Sequence, residues 1–276
     1  MRTKVVLVAG LAIALVVSVG LPRADASARV HSVNNVVRVA TAKANAPEYS
    51  SNWSGYAVPA RPNEPISAVN GSWIVPAIRN APPGFSSSWI GVGGYRSNDL
   101  IQTGTASSGR LEGNYAWYEI LPANETRVTG CTGDPACGVR EGDRMAATVE
   151  YVGGGAWVVA LTNWGKSYAA PRWTWSTRVA YASSMSSAEW VFEAPRVAAT
   201  PLLPVQTIPA KADQAKFLAG ADFRTNGTWR PLAQAQPSRM IMVDPVTGLL
   251  RTATPSMLGG DGHFAVCGYR TSCKNF

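Results

Sequence analysis

The sequence predicts an all-β protein built as an antiparallel β-sandwich, and three observations carry that expectation. Short aromatic or β-branched runs recur along the chain, among them GSWIVPAI, SSWIGVGG, NYAWYEIL, DRMAATVEYV and GAWVVALTNW. Turn formers separate them, such as Asn80, Pro82-Pro83-Gly84, Gly153-Gly154-Gly155 and Gly259-Gly260. No long segment carries the 3.6-residue period of an amphipathic helix. Two packed layers suit such a chain, because alternate residues of each strand meet between the sheets while the outer faces stay free to be polar. The tryptophans are irregularly spaced, so no repeat architecture is indicated.

Taken in order, residues 1–28 read as a secretory signal: Arg2 and Lys4 precede an apolar run from Val5 to Val19, and Ala24-Asp25-Ala26 or Ala26-Ser27-Ala28 offers small residues for cleavage. The run is shorter than the roughly 18 residues needed to span a bilayer, so an anchored protein is not expected. Residues 29–46 show no clear element and read as a short propeptide or disordered leader. Residues 47–276 are enough for one large domain with a sizeable core. Within it, Ala210–Ala219 (AKADQAKFLA) reads as a possible helix and Val197–Thr207, with two prolines, as a surface connection. MIMVDPVTGLL and HFAVCGYR read as closing strands of the same sandwich. Cys131, Cys137, Cys267 and Cys273 form two close pairs; three pairings are open, and the local one is expected in a secreted, extracellular chain.

Charge and motif content exclude several functions. The whole chain has a net charge of +8, but residues 1–46 hold six Lys or Arg and one acid, which leaves 19 bases, 16 acids and +3 for the rest. No remaining basic run suggests nucleic-acid binding, and no membrane contact is expected once the signal is gone. Neither cysteine spacing is of the zinc-binding CxxC type, and the two histidines are His31 and His263. No metal or other cofactor is therefore expected. There is no GxSxG elbow, and only His263 could serve a triad in the mature chain. Carboxylates and amides remain.

Period-two reasoning places them. In AEWVFE, Glu189, Val191 and Glu193 share one strand face, with Trp190 and Phe192 on the other. In NYAWYEI, Glu119 shares its face with Trp117 and Tyr115, and Gln102 sits in an otherwise apolar strand end, LIQTG. Each alone is ordinary: outer-face glutamates are usually solvated, and a strand glutamine usually bonds neighbouring backbone. Together they describe a polar face lined by aromatic rings. Such a face also suits a glycan-binding or glycan-hydrolysing protein, in which two of Glu119, Glu189 and Glu193 form the carboxylate pair.

Seven segments, SSNWSGY (50–56), GSWIVP (71–76), SSWIGVGG (87–94), LIQTG (100–104), AWYEILP (116–122), VREGD (139–143) and AEWVFE (188–193), occur in the order of the blocks of the glutamic peptidases. The chain thus resembles the eqolisin, or peptidase G1, family. The resemblance implies a jelly-roll-like sandwich of two curved sheets with a concave substrate groove. It also implies an endopeptidase in which Gln102 stabilises the oxyanion and Glu193, rather than Glu189, activates water, at acidic pH. Trp89, Trp117, Glu119 and Glu189 then line the substrate groove, protein or peptide substrates are the partners, and the molecule is a monomer. Where the fungal members have aspartates this chain has Gly93 and Tyr115, so less mutual repulsion among acids is expected around its base, and an inactive peptide-binding member is the further alternative.

Overall fold

The computed structural model describes residues 29–30, 36–37, 46–78, 84–107, 113–167, 170–200, 203–206 and 214–276. In chain order the strands are β1 (Arg29–Val30), β2 (Val36–Val37), β3 (Glu48–Ser50), β4 (Trp53–Pro59), β5 (Ile66–Ile74), β6 (Ser86–Gly93), β7 (Leu100–Ser107) and β8 (Asn114–Ile120). They continue as β9 (Thr126–Arg127), β10 (Arg144–Gly153), β11 (Ala156–Asn163), β12 (Trp173–Ala180), β13 (Ser187–Glu193), β14 (Arg196–Thr200) and β15 (Leu203–Gln206). The last are β16 (Ala215–Phe217), β17 (Asp222–Thr225), β18 (Thr228–Pro231), β19 (Ser238–Val243), β20 (Arg251–Pro255) and β21 (Phe264–Gly268). One 3₁₀ turn, Leu232–Gln234, is the sole helical element among the described residues.

Hydrogen bonding sets β9, β8, β7, β6, β13, β4 and β19 side by side in one layer. The second layer runs β12, β11, β10 and β5, with β16 and β17 sharing the far edge of β5 and β21 and β20 lying beyond β16. Pairing of β19 with β20 makes the layers continuous along one edge. This is the antiparallel sandwich the sequence predicts. Between the layers, Tyr56, Ile90, Ile101, Trp190 and Phe192 join Val69, Trp73, Val149 and Trp157 in one core. Burying a ring such as Phe192 contributes about 1.5–3 kcal/mol. The alternation in β10 and β11, buried then half-buried residue by residue, is the expected period of two.

Three local expectations are corrected. The helix expected over 210–219 is not formed where the chain is described: Ala215 and Phe217 turn into the core while the backbone of β16 pairs with β5 and β21. Phe217 stacks on Phe264 at 4.6 Å, a tertiary reward that outweighs the helical propensity of its alanines and lysines. Residues 210–213 lie outside the described residues. The connection expected over 197–207 contains β14 and β15, which with β1 form a separate three-stranded sheet. The stretch 29–46, read as lacking an element, supplies β1 and β2, the latter pairing with β3. Disulfides join Cys131 to Cys137 and Cys267 to Cys273, the local pairing.

Candidate active site

The two faces of β13 separate as period two requires: Ala188, Trp190 and Phe192 enter the core between the layers, leaving Glu189, Val191 and Glu193 on the outer face. Strand register carries that face across the layer in rows. One row is Ala57, Glu189, Gly91, Gln102 and Glu119; the next is Gly55, Val191, Trp89, Gly104 and Trp117; the third is Trp53, Glu193, Ser87, Ala106 and Tyr115. Trp53, Trp89, Trp117 and Val191 form a second apolar cluster with Tyr95, Leu100 and Met240 on this face. On an open sheet face such side chains would be half exposed. Here the three tryptophans and Val191 are fully buried, and so are Gln102, Glu189 and Glu193, with Glu119 at 1%. The face is therefore enclosed in the full-length chain.

Two glycines make room for the site. A Cβ at Gly91 would lie 3.0 Å from the Cβ of Gln102, and one at Gly104 would lie 2.5 Å from the Cβ of Trp89. Gly91 thus clears the space between Glu189 and Gln102, and Gly104 leaves room for the Trp89 Cβ beside it. With strands about 4.8 Å apart, the Cα atoms of Glu189 and Gln102 are about 9.6 Å apart across Gly91. That span suits two facing side chains with one water or scissile bond between them. Glu193 lies four residues, about 13 Å, further along its strand.

Hydrogen bonding distinguishes the two glutamates. Trp89 Nε1 donates to Glu193 Oε2 at 2.8 Å. Gln102 Nε2 donates to Glu119 Oε2 at 2.7 Å, while Gln102 Oε1 has no partner among the described residues. Neither oxygen of Glu189 makes a hydrogen bond there, and Trp53 Nε1 and Ser187 Oγ are equally unspoken for. Buried polar atoms are seldom left so, and their concentration on one face marks a place built to receive polar atoms from outside the fold. Burial drives the Glu189 carboxyl well above its ordinary range; the nearby Ser187 hydroxyl and Tyr95 amide temper the shift, and the charge of Asp99 adds to it. Burial also acts on Asp99, but hydrogen bonds from Ser184, Ser97 and Ser183 hold its carboxyl below the usual range, so it stays ionised.

The expected site residues therefore share one face. Gln102, Glu119 and Glu189 share a row, Trp89 and Trp117 occupy the next, and Glu193 the one beyond. The register distinguishes the two glutamates by position: Glu189 lies in the row of Gln102, and Glu193 accepts from Trp89. Spacing within AEWVFE cannot reveal this, because both glutamates have the same parity and only the pairing of β13 with β6 and β7 ranks them. Sequence reasoning also missed Trp53, Ser187 and Asp99. Asp99 Oδ2 lies 3.1 Å from where a Cβ at Gly93 would sit, so a carboxylate stands beside the position at which the chain lacks one. The pairing of Trp53 with Glu193 was legible only once β4 was placed. Among the described residues, no three His, Cys, Asp or Glu are grouped to hold a metal ion.

Comparison with known proteins bears on this geometry. The profile of the Peptidase A4 family matches residues 51–229, a span that contains Gln102, Glu119, Glu189 and Glu193. Scytalido-glutamic peptidase, crystallised with a transition state analog inhibitor, superposes with a TM-score of 0.61 at 18% identity, covering 79% of this chain and 98% of that one. SCP-B, a member of the eqolisin family of peptidases in complex with the tripeptide Ala-Ile-His, superposes with a TM-score of 0.58 at 17% identity over the same shares. At such identities these likenesses speak for the fold. Comparison with curated protein sequences finds no relative.

Proposed function

Because the chain belongs to the Peptidase A4 family and is a peptidase, we propose that it is an endopeptidase whose working pair is Gln102 and Glu189. The observation that carries this reading is the shared row: a buried amide and a buried carboxyl face each other across Gly91, each with oxygens left unbonded by the described chain. A water between them donates one O–H to Gln102 Oε1 and gives its other proton to Glu189 as it adds to the scissile carbonyl carbon. The second N–H of Gln102 is the donor for the oxygen that becomes negative. One such donor is worth about 2.7–4 kcal/mol in comparable sites. Glu189 then passes its proton to the departing nitrogen, and the peptide splits into an acid and an amine. Glu119 fixes the Gln102 amide, and Glu193 fixes the Trp89 ring.

Glu189 must be ionised to take that proton. Its raised pKa therefore moves the rise of activity to higher pH than an ordinary carboxylate would give. The charge of Asp99 pushes the same way, supplying repulsion where Gly93 offers none.

The proposal extends to maturation. Residues 1–28 are a signal for export, 29–46 a propeptide, and 47–276 the monomeric peptidase domain. β1 lies along Arg196 and Val197, just beyond Glu193, and β2 along Tyr49 and Ser50, so the leader is docked at two edges near the enclosed face. The test is digestion of a denatured protein by processed material across mild to strong acid, with sequencing of the peptides and of the new N-terminus. Internal cleavage, and an N-terminus near residue 47, are expected. Release of reducing sugar from polysaccharide with no peptide release would overturn the reading.

A further inference from the structure

A cavity lies on the core side of the sheet that carries the proposed dyad, at the open end of the space between the sheets. It measures about 350 Å³. Its floor is apolar, formed by Val58 at the end of β4, Ile66 at the start of β5, and Phe223 on β17. Val58 follows Ala57, the β4 partner of Glu189, but belongs to the inter-sheet core, so this cavity and the proposed dyad lie on opposite sides of one sheet.

Its rim is cationic, with Arg61 exposed and Arg230 half-buried. Arg61 comes from the turn after β4 and Arg230 from β18, opposite Phe223. Among the described residues neither guanidinium makes a hydrogen bond or ion pair, although Arg230 is half-buried. Thr225, only 2% exposed, lines the same cavity, and its Oγ1 has no partner among the described residues. A half-buried guanidinium offers up to five donors in a fork shaped for a carboxylate, and leaving it unmatched is costly. Glu64 also lines the cavity. Its carboxylate pairs with neither arginine, and it would repel a plain fatty acid but accept an N–H carried beside a carboxylate.

We propose that this cavity binds the C-terminal residue of a peptide. The terminal carboxylate sits between Arg61 and Arg230 with the Thr225 hydroxyl donating to it, the last amide N–H donates to Glu64, and an apolar side chain rests on Val58, Ile66 and Phe223. The shared chemistry is a carboxylate on an apolar body, and Glu64 selects the peptide source over a free aliphatic acid. The inference is independent of the dyad, since none of these residues lies on the catalytic face.

The experiment is calorimetric titration of the full chain with N-acetylleucine, N-acetylleucinamide and decanoate. N-acetylleucine is expected to bind at one site, at least about tenfold tighter than its amide. That binding should persist in Glu189→Gln, which separates this site from a product complex in the groove. Arg61→Gln combined with Arg230→Gln should weaken it at least about tenfold with an unchanged circular dichroism spectrum. Glu64→Gln should weaken N-acetylleucine and strengthen decanoate. Equal binding of acid and amide, loss of binding in Glu189→Gln, or decanoate preferred over N-acetylleucine by the unaltered protein would each overturn the proposal. Should the double variant misfold, the acid-to-amide ratio on the unaltered protein decides alone.

Discussion

Two buried polar clusters in this molecule are built from similar groups and treat them in opposite ways. At one end of β10 and β11, Asp143 Oδ2 accepts from Asn163 Nδ2, from Arg172 at 2.9 Å and from the Arg140 backbone N–H. The amide of Asn163 also reaches the Gly138 carbonyl, which accepts from Trp173 Nε1 as well. Each of these side-chain bonds joins the loop 138–143 to β11, Arg172 or β12, so the cluster fixes a loop. On the enclosed face, Glu189 and Gln102 are buried as deeply, yet the fold leaves three of their oxygens unbonded. A satisfied cluster stabilises; an unsatisfied one persists only because the rest of the sandwich holds it, and its use lies in what it can bind. Both acids come from segments of the resemblance, VREGD and AEWVFE, so shared motif membership does not tell a bonded carboxylate from an unbonded one.

The contrast can be broken experimentally. After loss of the base itself, the largest effect is expected for Gln102→Ala, which removes the proposed oxyanion donor: turnover should fall about 10²–10³-fold, with a melting temperature within a few degrees of the unaltered protein. Asp143→Ala should do the reverse. It strips the partner from Arg172, which is partly exposed, and should cost about 2–4 kcal/mol by denaturant titration while any folded enzyme keeps its turnover.

A smaller effect follows from linkage. The pKa of Glu189 is raised by folding, so its protonated form favours the native state below the ordinary carboxylate range, and that advantage is lost as pH rises through the raised value. Glu189→Gln should therefore raise the melting temperature at neutral pH, by about 2–4 °C for each kcal/mol relieved, and change it little near about pH 4. The smallest change is expected for Asp99→Asn: the rising limb of the pH–rate profile should move to lower pH, with maximal rate altered by less than about threefold.

Much of this was readable before any coordinates. Alternation in AEWVFE, NYAWYEI and LIQTG told which side chains share a face, because strand parity is fixed by geometry. The order of strands across the layer was not readable, and with it went which glutamate shares a row with Gln102: β13 inserts between β6 and β4, neither adjacent to it in sequence. The helical reading of 210–219 failed for the same reason, since the unpaired edges of β5 and β21 lie far from it in the chain. Gly91 and Gly104 stand inside strand runs in the sequence, and only the rows show them as gaps between large side chains.

The pairing of Glu189 with Gln102 is tested most directly by measuring turnover of Glu189→Gln and Glu193→Gln side by side on one peptide substrate. Glu189→Gln should lose about 10²–10⁴-fold as the base is removed. Glu193→Gln, whose amide oxygen can still accept from Trp89, should lose no more than about tenfold. Full loss in Glu193→Gln with an active Glu189→Gln would contradict the assignment.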